Sequence, residues 1–268
     1  MNKNNLTQSH GNFHTHTQFC DGRAPMEQFV QKAIDLNFKY LGFTPHSSIP
    51  FHSPCNMAVA DVPKYFAEVQ RLRALYGDRL QILAGMEIDY LGEWGPAHPY
   101  FASLPLDFSI GSVHFIPAID NPDTMVDVDG RFENFRDKMH TFFHGDINYV
   151  VNTFFSQMTQ MVENGGFDIV GHCDKIALNA TAYQPGIDTE PWFVKLVTNL
   201  IDAIMDQHLI IEINTKAYNL HHRFFPNARY FPLLQHYNAP ILFNSDAHEP
   251  ELLNAGREEV YKLFQNSK

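Results

Sequence analysis

Cysteine is scarce in this chain: Cys20, Cys55 and Cys173 are the three among 268 residues. They form no CxxC pair and no even framework, which argues against a disulfide scaffold and fits reduced thiols. Basic residues are also short, 19 against 30 acidic, for a formal net charge of -11. A nucleic-acid binder normally carries a basic excess, so that class is disfavoured, and no basic helix offers itself to a membrane surface. Long apolar runs are missing as well. Nothing approaches the ~20 residues of a membrane span, and the opening MNKNNLTQSH has no apolar signal segment, so a cytoplasmic protein is expected. No repeat, low-complexity tract or Gly/Ser/Pro-rich linker divides the chain. Residues 1–268 read as one domain with a flexible tail over 1–10, a size that suits a single α/β barrel. Nothing fixes an oligomeric state.

Histidine, by contrast, is plentiful at 15 residues. His14 and His16 in GNFHTHTQFCDG sit two apart, so a strand would present both on one face, with Asp21 close behind. Strand-like runs follow at Asn12–His14, Tyr40–Phe43, Gln81–Glu87, Phe108–His114, Phe167–Gly171, Leu209–Ile213 and Pro240–Asn244. Helical patterns lie between most of them, at Pro25–Leu36, Val62–Tyr76, Ile147–Glu163 and Pro191–Asp206, with a last one near Leu253–Phe264. Pro25, Pro63 and Pro191 fall where helices start. The alternation implies parallel βα units and an α/β fold. An open doubly wound sheet fits the alternation alone. The placement of polar residues favours a distorted seven-stranded (β/α)7 barrel.

That placement is at the strand ends. Runs one to five end in His14, His16 and Asp21, then His46, Glu87, His114 and His172. Run six ends in Asn214 and Lys216, run seven in Asp246 and His248. In a parallel barrel these ends converge on one mouth, where active sites lie. A lone His46 or His114 is an ordinary polar residue. Six histidines, two aspartates and a glutamate at one mouth form a metal site. Nine ligands exceed what one ion needs and suggest two to three divalent transition-metal ions, zinc, manganese or iron. Clustered cations suit hydrolysis of a small phosphate ester. Lys175, Lys216 and Arg223 are candidates for the remaining phosphate oxygens, and each is equally readable as a solvated base. Cys20 and Cys173 read as packing residues. The stretch from Ile116 to Gly145 reads as a long acidic loop, in which Asp127, Asp129 and Glu133 are candidate substrate contacts or a solvated lid.

Taken in order, HTHTQFCDG, FTPHSS, AGMEIDYL, GSVHF, GHCDK, EINTK and NSDAH resemble the PHP (polymerase and histidinol phosphatase) family, over Gly11 to about Phe264. FTPHSSIP and GSVHFIPAID resemble its stand-alone histidinol-phosphatase branch. The resemblance implies a distorted seven-stranded barrel with a trinuclear metal centre. It also implies hydrolysis of L-histidinol phosphate, in histidine biosynthesis, by attack of a metal-bridging hydroxide. It puts His14, His16, Glu87 and Asp246 on one metal, and Glu87, His114 and His172 on a second. Asp21, His46 and His248 fall on a third, where many relatives place a histidine instead of Asp21. Asp246 and His248 are the residues assigned catalytic roles. The rivals are a PHP phosphoesterase for another ester, an amidohydrolase-type barrel, and a metal-binding module without catalysis.

Overall fold

The computed structural model describes residues 10–267. The tail expected over 1–10 therefore lies, up to position 9, outside the described residues. His10 is already tied in, its carbonyl accepting from the Lys39 amide at 2.7 Å.

β1 (Gly11–Asn12), β2 (Tyr40–Phe43) and β3 (Gln81–Ala84) form a parallel sheet in that order. β4 (Glu87–Asp89) and β5 (Ile110–Ser112) belong to a second sheet. After β5 comes an antiparallel hairpin of β6 (Phe115–Pro117) and β7 (Met125–Asp127). β8 (Ile169–Val170), β9 (Ile210–Asn214) and β10 (Ile241–Asn244) complete the second sheet, all parallel, in the order β10-β9-β8-β5-β4. Two isolated parallel bridges, Thr15 to Ala247 and His46 to Glu87, link the sheets. The ladders do not close into a continuous ring. The expected third strand, Gln81–Glu87, divides at Gly85 and Met86: β3 pairs with β2, and β4 pairs with β5. The Phe108 ring sits at this break. A Cβ on Gly42 or Gly85 would stand 2.6 or 2.5 Å from it, so only glycine lets the ring in. Tyr65 Oη, 2.8 Å from the Gly85 carbonyl, satisfies the interrupted backbone.

Helices cover the outer faces. Met26–Asp35 and Val62–Tyr76 lay Phe29, Val30, Tyr65, Val69 and Leu72 against Leu41, Phe43 and Ile82. Tyr65 is fully buried there, and its neighbour Phe66 is half-buried against the same cluster. Ile147–Asn164 and Pro191–Asp206 bury Phe154, Phe155, Phe193 and Val197 against Val170, Ile211 and Ile213. Asp146 caps the first of these by accepting the Tyr149 amide, and Pro191 opens the second. Each buried phenylalanine contributes about 1.5–3 kcal/mol of transfer free energy. No helix among the described residues is long and apolar enough to cross a membrane.

The stretch expected as a loop, Ile116 to Gly145, is largely ordered structure: the hairpin, then helix Phe132–Phe142. Val126 and Val128 alternate into the core, and Phe135, Met139 and Phe143 follow at helical spacing. The acidic composition masked that apolar pattern.

Candidate metal centre

Period-two alternation builds the site. Ile211 and Ile213 of β9 point to the helices, while Ile210 joins an inner cluster with Phe13, Leu83, Phe108, Ile110, Ile169 and Leu242. The same inner row of β9 continues with Glu212 and Asn214, both fully buried. On β10 it runs from Leu242 to Asn244 and on towards Asp246; on β5 it runs from Ile110 to Ser112. The interior thus changes from apolar to polar along the strands.

All nine sequence-nominated ligands meet at the polar end. Four overlapping groups hold them: His16, Asp21, His46 and His248; His14, His172 and Asp246; His14, His16 and Glu87; and His46, Glu87 and His114. Within each group the candidate ligand atoms lie within 4.8 Å of one another. Glu87 is the hub. Its Oε2 stands 3.2 Å from His14 Nε2, 3.4 Å from His16 Nε2 and 3.0 Å from His46 Nδ1. Its Oε1 stands 2.8 Å from His172 Nε2 and accepts the Ser112 hydroxyl at 2.7 Å. Asp246, held at a φ of 50°, places Oδ1 3.1 Å from His16 Nε2. Asp21 Oδ2 is 3.3 Å from His248 Nε2.

The charge balance follows from burial and neighbours. Burial alone would lower His14, but Glu212, Asp246 and Glu87 together hold it well above the ordinary histidine value. Burial would raise Glu87 and Asp246. His14, His46 and His114 outweigh it at Glu87, and Lys216, His14 and Lys175 at Asp246, so both carboxylates are held low. His172 falls to about 4, from burial and then the Lys175 charge. Against burial, Glu87 raises His46 too, to about 9, so His14 and His46 hold protons that a cation must displace, because neutral imidazoles and ionised carboxylates are the forms that ligate metal. Burial, with Asp21 beside it, pushes the Cys20 thiol up to about 12. Cys20 Sγ lies 3.5 Å from His16 Nδ1, and Cys173 is buried in the larger core.

Six buried atoms of this cluster have no hydrogen-bond partner: Nε2 of His14, His16 and His114, Nδ1 of His46, Oδ1 of Asp21 and Oε2 of Glu87. Leaving one such group unpaired costs about 1–3 kcal/mol. Buried polar groups are rarely left so, and their convergence here fits divalent cations as the partner. The donor set is nitrogen and oxygen only, which suits zinc, iron or manganese.

Sequence reasoning missed the residues behind the ligands. Glu212 is saturated: Oε1 takes the Asn244 amide at 2.9 Å and pairs with His14 Nδ1 at 2.7 Å. Its Oε2 accepts from the His172 backbone and the Asn214 amide, each at 3.0 Å. Asp89 Oδ1 pairs with His114 Nδ1 at 2.7 Å. Each carboxylate fixes a ring so that its other nitrogen faces the cluster. The available signal was a charge inside an apolar run, LIIEIN, and a second acid two residues after Glu87.

The basic candidates divide. Lys175 Nζ lies 3.9 Å from Asp246 Oδ2 and 2.7 Å from Asp129 Oδ2, and Lys216 Nζ lies 3.3 Å from Asp246 Oδ1. Arg223 faces Asp188 at 3.1 Å and Asp174 at 3.9 Å instead. Of the three acids nominated beyond β5, Asp129 reaches Lys175; Asp127 pairs with Lys138 at 3.0 Å, and Glu133 is exposed.

The PHP domain family model matches residues 12–216. A Deinococcus radiodurans protein named "Probable histidinol-phosphatase" is 24% identical over 88% of this chain and 85% of its own length. The Bacillus subtilis histidinol-phosphatase is 32% identical over a shorter stretch, 38% of this chain and 43% of that protein. Among solved structures, a histidinol phosphatase candidate from Listeria monocytogenes superposes with a TM-score of 0.83 at 20% identity, covering 93% of this chain and 99% of that one. The Lactococcus lactis histidinol phosphate phosphatase, complexed with zinc, L-histidinol and phosphate, gives 0.67 at 18% identity over 97% and 94%. These two likenesses carry the fold. With a family model spanning most of its length, the chain belongs to the PHP domain family.

Proposed function

We propose that this protein is a metal-dependent phosphomonoesterase that hydrolyses L-histidinol phosphate to L-histidinol and phosphate. The observation that carries the reading is the cluster of nine ligands with six unpartnered buried atoms, in a chain of the PHP domain family. The substrate follows from relatives named histidinol-phosphatase. On this reading residues 1–268 are one domain, a distorted seven-stranded barrel interrupted at Gly85, working in the cytoplasm on a small ester.

His14, His16, Asp21, His46, Glu87, His114, His172, Asp246 and His248 would hold two to three divalent ions, since the four groups share His14, His16, His46 and Glu87. Held there, such ions supply Lewis-acid polarisation of a phosphoryl oxygen and a water acidic enough to react near neutral pH. The chain's own groups do the rest. Lys175 and Lys216, with ammonium heads on Asp246, bind the remaining phosphate oxygens. Arg223, assigned to phosphate as well, would have to leave Asp188 to reach it. Asp246 and His248 are assigned the catalytic roles. Burial and then Lys216 lower His248, which favours the neutral ring that ligates metal.

The test is phosphate release from a panel of monoesters that includes L-histidinol phosphate, with elemental analysis of the purified protein. Selective turnover with two or three transition-metal ions per chain is expected. Turnover of other esters alone would move the substrate elsewhere, and metal without turnover would remove the enzymatic reading. His172→Ala should lower metal content and abolish turnover.

A further inference from the structure

Lys175 and Asp129 form an ion pair beside the metal-ligand cluster. Asp129 follows β7 in a turn clamped from outside, where the Asn179 side-chain amide donates to the Val128 carbonyl at 3.2 Å and the Gly130 carbonyl at 3.4 Å. Gly130 closes the turn at a φ of 80°, a conformation that favours glycine. The Asp129 amide donates to Asp127 Oδ1 at 2.8 Å. The carboxylate so positioned meets Lys175 at 2.7 Å, and that same ammonium also faces Asp246 at 3.9 Å. One lysine head thus separates Asp129 from the metal-ligand cluster. The Lys175 side chain is 9% exposed and that of Asp129 33% exposed, so Asp129 keeps an open side while Lys175 does not.

A phosphate drawn to Lys175 takes charge away from Asp129. A half-buried carboxylate that loses its cation is costly unless another arrives. A substrate with an ammonium close to its phosphate supplies both. We propose that Asp129 is the specificity-determining carboxylate of this site: it binds the substrate ammonium while Lys175 turns to the phosphate, giving the charge row phosphate–Lys175–Asp129–ammonium. The ligand class is an amino-alcohol phosphate with the amine on the carbon next to the ester CH2. This rests on the phosphatase reading and adds a recognition residue to it.

The experiment compares two esters, L-histidinol phosphate and the same ester lacking its amine, on the metal-loaded protein and on Asp129→Asn. Wild type should favour the amine-bearing ester by about 10–100-fold in kcat/KM. Asp129→Asn should erase that preference through KM and leave the amine-free ester within about threefold. Equal losses on both esters would overturn the proposal and make Asp129 only a positioning residue for Lys175. A wild type that hydrolyses both esters equally would overturn it too, with the phosphatase reading intact. Should neither ester be hydrolysed, the phosphatase reading falls, and calorimetric binding of the two esters decides for Asp129. Tighter binding of the amine-bearing ester, lost in Asp129→Asn, supports it; equal binding overturns it.

Discussion

Two levels of the strand interior differ in how they are held. The inner apolar level, Phe13, Leu83, Phe108, Ile110, Ile169, Ile210 and Leu242, draws on both sheets and is closed by packing. The level beyond it, two to four residues along the same inner rows, is closed by paired charges and is unfinished at six atoms. The first level is complete as folded protein, and the second is complete when cations are present. A single strand therefore carries structure at Ile210 and function at Glu212 and Asn214. Changes at one level should leave the other largely intact.

The hardest blow to the polar level is Glu87→Ala. That carboxylate touches five histidines, His14, His16, His46, His114 and His172. Its loss should lower metal content by at least one ion per chain and cut kcat/KM by about a thousandfold or more. Elemental analysis beside initial rates checks this, and full metal content with normal turnover would remove Glu87 from the hub. Ile210→Ala probes the other level. It should cost about 2–5 kcal/mol in denaturant melts, as expected for a buried aliphatic side chain. Folded Ile210→Ala protein should still carry its full metal complement. If metal were lost in step with stability, the two levels would be one unit.

Glu212→Gln tests the support between them. The amide keeps the shape but turns one acceptor oxygen into a donor, facing either the His172 N–H and the Asn214 amide or the Asn244 amide and His14, and His14 loses its anionic partner. Metal affinity should fall about 10–100-fold with the fold retained. Competition with a chelator measures it, and an unchanged affinity would make Glu212 a filler of polar space.

These residues also mark how far the sequence could be read. The nine candidate ligands could be nominated because histidine is rarely repeated at strand ends without a reason, and the fold brings all nine together. The parallel α/β framework was legible from short apolar runs between helical stripes. Glu212 and Asp89 were not, since nothing local says which ring a buried carboxylate will orient. The break at Gly85 depends on a ring 23 residues away, Phe108, and is invisible in the run AGMEID. The hairpin and helix after β5 hid behind acidic residues, although Phe135, Met139 and Phe143 show helical spacing once it is looked for. Arg223 was chosen for its chemistry alone, and its carboxylate partners, Asp188 and Asp174, come from contacts no motif records.

The smallest expected effect falls at the rim of the polar level, on Lys216. Its side chain is 38% exposed, and its ammonium lies 3.3 Å from both Asp246 Oδ1 and His248 Nε2. A cation in that place does two opposed things. It attracts an incoming phosphate, and it competes with metal for the same two ligands. Partial exposure screens both, so each should amount to about 1 kcal/mol or less. Lys216→Ala should then raise KM by about three- to fivefold, leave kcat within twofold, and tighten metal binding slightly. Initial rates and a metal titration on the same preparation read both terms. A raised KM with tighter metal binding keeps Lys216 as a phosphate contact at the edge of the site. An unchanged KM with tighter metal binding would reduce it to a competitor for Asp246, leaving Lys175 as the cation that meets the substrate.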